Sequence, residues 1–181
     1  MTRRSISKRA AVVTVTAALA LGTLGTVAAT AGPQHETKTT KTTKSTKSTN
    51  PAKPSKKQIA ALFDGWNAAL QTGDPKKVAN RYAPDAVLLP TVSNEIRTDR
   101  AEIVDYFEHF LPNKPVAKKV ETYINVLDSN SAIDAGAYDI TLTDPKTGKK
   151  RVVEARYTYE YEKRGGKWLI VNHHSSVMPE G

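Results

Sequence analysis

From Ser55 onward the apolar residues of this chain recur first at helical and then at strand spacing. Ile59, Leu62, Phe63, Trp66 and Leu70 form one stripe at intervals of three and four, the period of a single helix face. Ser55 and Gln58 have the spacing of a capping box, in which each side chain satisfies an otherwise orphaned backbone N–H. Gly73 can close this helix in a left-handed turn, and Asp74 with Pro75 can open a short second one bearing Val78 and Tyr82. Ala83-Pro84-Asp85 breaks it. Ala86 to Pro90 then reads as a short buried strand, and Thr91 to Thr98 as a loop holding the charges of Glu95 and Arg97. Asp99 and Glu102 again have capping-box spacing, and Ile103, Tyr106, Phe107, Phe110 and Leu111 line a third helix that Pro112 ends.

After this the helical period stops. Residues 120–126, 132–143, 150–162 and 167–177 alternate like strands, joined by Asp128-Ser129-Asn130, by Asp144-Pro145-Lys146-Thr147-Gly148 and by Gly165-Gly166. Two adjacent glycines supply the positive φ angles of a tight hairpin. Alternation predicts one face carrying Tyr157, Tyr159, Tyr161, Leu169, Val171, His173 and Ser175, and another carrying Arg156, Thr158, Glu160, Trp168, Ile170, Asn172 and His174. Helices followed by a meander give an α+β class, with N-terminal helices packed on a curved antiparallel sheet. On the second face Trp168, Ile170 and Val152 stand among Glu154, Arg156 and Glu160, and a second copy of the chain would cover that apolar area.

Composition divides the 181 residues into three parts. Arg3, Arg4, Lys8 and Arg9 precede an apolar stretch from Ala10, and Ala29-Thr30-Ala31 has the small-x-small pattern of a signal peptidase site. Residues 1–31 are therefore expected to be a cleaved export signal, and the paired arginines fit either the twin-arginine or the general route. Residues 32–55 are a linker rich in Lys, Thr and Ser that cannot bury a core. Lys38, Lys41, Lys44 and Lys47 recur in it at a period of three, as in a solvated spacer or a tether to anionic cell-wall polymer. Residues 56–181 form the folded domain. Of the 27 basic residues, four fall in the leader and seven in residues 32–57, with one of the 18 acidic residues. Residues 58–181 thus hold 16 basic against 17 acidic groups, which argues against a nucleic-acid partner. With no cysteine, neither a disulfide nor a lipobox anchor is available.

The order of elements and several local patterns resemble the nuclear-transport-factor-2-like superfamily. Within it the chain is most similar to the calcium/calmodulin-dependent protein kinase II association domain and its free-standing bacterial relatives. Trp66-Asn67-Ala68-Ala69-Leu70, Gly73-Asp74, Tyr82-Ala83-Pro84-Asp85-Ala86, Tyr106-Phe107-Glu108, Gly166-Lys167-Trp168 and His173-His174-Ser175-Ser176 carry the resemblance, over residues 56–178. It implies a cone with a deep pocket between sheet and helices, and homo-oligomers, a dimer or larger, formed through the other face of the sheet. It also implies a departure. Asp139, Tyr159 and Ser175 fall where the kinase domain carries arginines suited to small carboxylates, so a neutral or cationic small molecule is expected instead.

Trp66, Tyr106, Phe107, Asp139, Tyr157, Tyr159, His173 and Ser175 are the candidate ligand-binding residues. Counting back from the two turns puts Asp139, Ala155 and Ser175 in one cross-strand row, with Ala137, Tyr157 and His173 in the next. Asp139 would then lie about 10 Å from the last strand. A carboxylate beside a histidine suits proton transfer, so Asp139 and His173 are the candidate catalytic pair, with Tyr159 as donor; mutual satisfaction of the two in a polar-floored core is the plainer reading. Trp66 is in phase with Leu62 and Leu70, which also fits core packing. His173 and His174 are adjacent strand residues that point to opposite faces and make a poor metal pair. No nicotinamide or flavin motif is present, and neither cofactor nor metal is expected.

Overall fold

The capping box at Ser55 closes as its spacing predicts. In this computed structural model, which describes residues 51–179, the Gln58 N–H donates to Ser55 Oγ at 3.2 Å and the Ser55 N–H to Gln58 Oε1 at 2.8 Å. They open α1 (Lys56–Gln71), which buries Ile59, Phe63, Trp66 and Leu70. Asp74 accepts from the N–H groups of Lys76 and Lys77 and starts α2 (Pro75–Ala79). Asp99 caps α3 (Arg100–Phe110), and a 3-10 turn, Leu111–Asn113, ends it. The leader and the linker as far as residue 50 lie outside the described residues.

The described residues form a five-stranded sheet from β1 (Tyr82–Leu89), β2 (Val116–Val126), β3 (Ser131–Thr143), β4 (Lys150–Arg164) and β5 (Lys167–Val177), in the spatial order β1-β5-β4-β3-β2. The last four make the expected antiparallel meander. β1 adds to the free side of β5 in parallel, so the sheet is mixed. It begins at Tyr82, where a short helix residue was expected, because Tyr82 pairs with Ile170 and the Arg81 carbonyl accepts from the Ile170 N–H at 2.8 Å. An irregularity between Tyr82 and Val87 accommodates Pro84, which has no N–H to give and is tolerated on an edge strand. Helices against this sheet confirm the α+β class.

Register departs from the sequence expectation in two places, and each changes which face a residue occupies. At the β3–β4 turn Thr143 pairs with Lys150, so Asp139 pairs with Glu154, and Tyr138 with Ala155. The expected Asp139–Ala155 pairing is one residue out, and a one-residue slip reverses every side chain. Asp139 therefore lies on the face away from the helices, and buried Tyr138 and Ile140 take the inward positions. At the β4–β5 turn Gly165 and Gly166 adopt φ of 57° and 80°, and Arg164 pairs with Lys167 as a two-residue hairpin requires. Past the turn, however, Tyr161 pairs with Ile170 and Glu160 with Asn172, leaving Val171 as a bulge. The bulge puts Ile170, with 1% of its surface exposed, on the tyrosine face, so Ile170 is core and not part of the outer face. His173 and Ser175 keep the tyrosine face but pair with Tyr159 and Tyr157, not with the expected Tyr157 and Ala155. Val152 remains outward, 57% exposed.

A second bulge, between Lys119 and Glu121 of β2, depends on Gly136. A Cβ there would sit 2.0 Å from the Glu121 carbonyl oxygen, closer than any side-chain carbon can approach backbone. Gly136→Ala should therefore lower unfolding stability by at least about 2 kcal/mol through forced strand displacement, measured as a lower urea midpoint. The assignment of faces makes a separate prediction. Ile170→Glu should cost about 3 kcal/mol or more because it buries an unpaired carboxylate, whereas Val152→Glu should leave the stability of a single domain within about 0.5 kcal/mol of wild type. Similar midpoints for the two variants would contradict the bulge at Val171.

Candidate functional site

Helix α1 is fixed across the sheet by one side-chain amide. Asn67 Nδ2 donates to the Ala117 carbonyl at 2.8 Å, and its Oδ1 accepts from the Ala117 N–H at 2.9 Å, as a neighbouring strand would. This lays Phe63 and Trp66 over the tyrosine row. Phe63 stacks on Tyr157, with ring centroids 6.1 Å apart, and Trp66 meets Tyr159 and His173 edge-on at 5.6 and 5.5 Å. Tyr159 in turn stacks on His173 at 4.1 Å. Burial pushes the Tyr82, Tyr159 and Tyr161 phenols well above their ordinary range and Tyr138 up to about 12, so each remains a neutral O–H.

Two polar clusters interrupt this aromatic layer. In the first, Trp66 Nε1 donates to Tyr82 Oη at 3.0 Å, and Tyr82 Oη lies 2.8 Å from Nδ1 of His173. Burial holds the His173 imidazole down to about 3, with a lesser contribution from His174, so it is neutral at physiological pH. Its Nε2 is buried without a partner among the described residues. Close by, Tyr138 donates to Ser175 Oγ at 2.6 Å, and Ser175 also hydrogen-bonds Thr91. In the second cluster Lys119 Nζ pairs with Asp134 Oδ2 at 2.6 Å and stands 4.6 Å from the Phe63 ring centroid. Tyr157 donates to Asp134 Oδ1 at 3.1 Å. Asp134 is wholly buried, a position it can hold because the ammonium and a hydroxyl both face it.

The first cluster borders a narrow cavity. Trp66, Tyr106, Phe107, His173 and Ser175 line it, joined by Leu88, Pro90, Thr91, Val92, Phe110, Ile140, Leu142 and Val153. About 20 Å³ is open to the centre of a water-sized sphere, room for about one water. Five of the eight candidate ligand residues are thus brought together. Tyr157 and Tyr159 share the helix-covered face but pack beneath Phe63 and Trp66 and do not border the cavity. Asp139 is on the opposite face, so the Asp139–His173 pair does not form. His173 and His174 point to opposite faces, one buried and one exposed. Arg97 and Glu95 do pair, and Arg97 lies 3.9 Å from Asp105 of α3, beside a cleft that shares Val92, Tyr106 and Phe110 with the cavity.

Residues 55–179 match the family model for the calcium/calmodulin dependent protein kinase II association domain. The chain belongs to this association-domain family. It is 60% identical to an association-domain protein of the same kind from Xanthomonas campestris, over 73% of this chain and 94% of that one, with a TM-score of 0.69. The association domain of the C. elegans kinase shares the fold at 12% identity, over 67% and 95% of the two chains, with a TM-score of 0.55. A Streptomyces avermitilis protein named as a dehydratase of the NTF2-like family does so at 12% identity, over 68% and 97%, with a TM-score of 0.62. No curated protein matches the chain.

Within this association domain the sequence reading missed Tyr82, Asp134, Lys119 and Thr91 as members of the polar clusters. Asp134 had a visible signal, since Ala132, Asp134, Gly136, Tyr138 and Ile140 are one alternating row and a carboxylate in a buried row needs a partner. Thr91 had none, because a loop residue carries no periodicity.

The buried imidazole makes stability depend on pH. Unfolded, His173 takes up a proton near its ordinary 6.5; folded, it does so only near 3. The unfolded chain binds more protons between these values, so acid should destabilise the domain there by about 1.4 kcal/mol per pH unit. The unfolding free energy of wild type minus that of His173→Gln should fall with this slope from pH 6 to 4. A flat difference would mean the imidazole is solvated or charged in the fold.

Proposed function

We propose that the domain is an exported, self-associating small-molecule-binding module, with the ligand held in the cavity beside His173. The observation that carries this reading is His173, whose buried Nε2 has no partner among the described residues, on the wall of a largely apolar cavity. Leaving a buried donor or acceptor unmatched costs roughly 1–3 kcal/mol, and a bound molecule that supplies the missing partner recovers that cost. No catalytic step is needed. The carboxylate suited to act as a base, Asp139, faces away, and Asp134 is engaged by Lys119 and Tyr157.

Self-association is supported by the family and by the outer sheet face, where Val116, Tyr123 and Val152 are exposed. A patch of this kind is what a homodimer buries. Export is supported by the leader, residues 1–31, and contact with anionic cell-wall polymer by the lysines of the linker.

Native mass spectrometry of the protein purified from its own culture medium tests these elements together. The expected species is a dimer or larger assembly of chains beginning at Gly32 that retains a small organic molecule. Val152→Glu with Tyr123→Glu should shift the mass toward the monomer. A bare, ligand-free assembly from wild type would reduce the function to structural association, and a monomer would remove the interface.

A further inference from the structure

Trp66 sets the direction of the hydrogen-bond chain that ends at His173. An indole nitrogen only donates, so Trp66 Nε1–H gives its proton to the lone pair of Tyr82 Oη. Tyr82 has one proton of its own, and among the described residues its other partner is Nδ1 of His173. Were Nδ1 protonated, the buried Tyr82 hydroxyl would accept twice and its own proton would go unmatched. Nδ1 is therefore the acceptor, and in a neutral imidazole the N–H then sits on the other nitrogen. Tyr159 stacked on the ring and Trp66 at its edge hold it in this orientation. The unpaired Nε2 is thus a donor, on a ring whose Nδ1 side is occupied by Tyr82 and which lines the cavity.

The rest of the wall narrows the ligand. Among the described residues no lysine, arginine or carboxylate lines the cavity, so a buried anion would lack a counter-charge and a cation would face an N–H. Ser175 Oγ is engaged by Tyr138 and Thr91. We propose that this pocket selects a neutral molecule with an acceptor oxygen, a ketone or amide carbonyl, that takes the Nε2–H of His173 while its apolar remainder packs on Trp66, Phe107 and Ile140. This rests on the small-molecule reading above and gives that ligand its chemical class. A ligand larger than a water needs the cavity wall to yield, and Pro90, Thr91 and Val92 are its lining residues outside helix and strand. They belong to the loop held at its ends by paired backbone hydrogen bonds between Leu88 and Arg97 and tied to β5 by the Thr91–Ser175 hydrogen bond.

Imidazole ¹⁵N NMR of the exported protein reads the tautomer without any ligand. Binding is then compared for acetophenone, ethylbenzene and benzoate, which match in size and differ in acceptor and charge. The expected result is an Nε2–H tautomer for His173, acetophenone bound about fivefold more tightly than ethylbenzene, as one neutral hydrogen bond gives, and benzoate the weakest of the three. In His173→Phe the preference should fall to about one while ethylbenzene still binds. If that variant fails to fold, the wild-type tautomer and the wild-type ratio still decide. An Nδ1–H tautomer, or benzoate binding as tightly as acetophenone, overturns the proposed ligand class. Ethylbenzene binding equal to acetophenone also overturns it and leaves the small-molecule pocket standing. Failure of all three to bind removes the pocket reading and the ligand class with it.

Discussion

The hydroxyl of Tyr82 is where three elements of this domain meet. It stands at the first residue of β1, accepts from Trp66 of α1 and reaches His173 of β5. A single oxygen thereby joins the helix layer, the edge strand and the final strand of the sheet in the interior, where hydrogen bonds are electrostatically stronger than in water. The arrangement works because each partner has a fixed polarity. The indole can only give, the phenol both takes and gives, and the imidazole, kept neutral by burial, can take at one nitrogen. What results is a histidine with its tautomer set, on a ring that lines the cavity.

Around this chain the helix-covered face of the sheet is unusually rich in tyrosine. Tyr138, Tyr157, Tyr159 and Tyr161 are all buried, giving large apolar contact with hydroxyls that need partners. Two find them: Tyr138 at Ser175 and Tyr157 at Asp134. The Asp134–Lys119 pair is possible because the bulge in β2 and the missing side chain at Gly136 let β2 close in on β3. The oxygens of Tyr159 and Tyr161 lack a partner among the described residues, so they contribute packing while their hydroxyls oppose it.

Membership of the association-domain family accounts for the scaffold. It does not by itself decide what occupies the cavity, because function resides in the particular side chains a fold presents. Here those side chains separate two properties. Tyr123 of β2 and Val152 of β4 are exposed on the outer face of the sheet, whereas His173 and Ser175 of β5 line the cavity on its other face, together with Trp66 of α1.

The sequence by itself determined the helices, the hairpin turn and the class of fold, because these follow from short-range rules. Ser55 and Gln58 are three residues apart, Gly165 and Gly166 tolerate positive φ, and the tyrosines of β4 alternate, whatever lies elsewhere in the chain. The superfamily was legible for the same reason, as an ordered set of such local patterns. The tertiary structure alone decided the site. Which residue of β3 faces His173 depends on how a six-residue turn closes, and which face Ile170 takes depends on one bulged residue, Val171. Alternation has a period of two, so a count one residue out exchanges the faces while leaving the pattern intact. That is why Asp139 could be mistaken for an inward carboxylate while Asp134 went unnoticed. Tyr82 and Thr91 reach His173 and Ser175 across 91 and 84 residues of sequence, and only the packed chain brings such residues together.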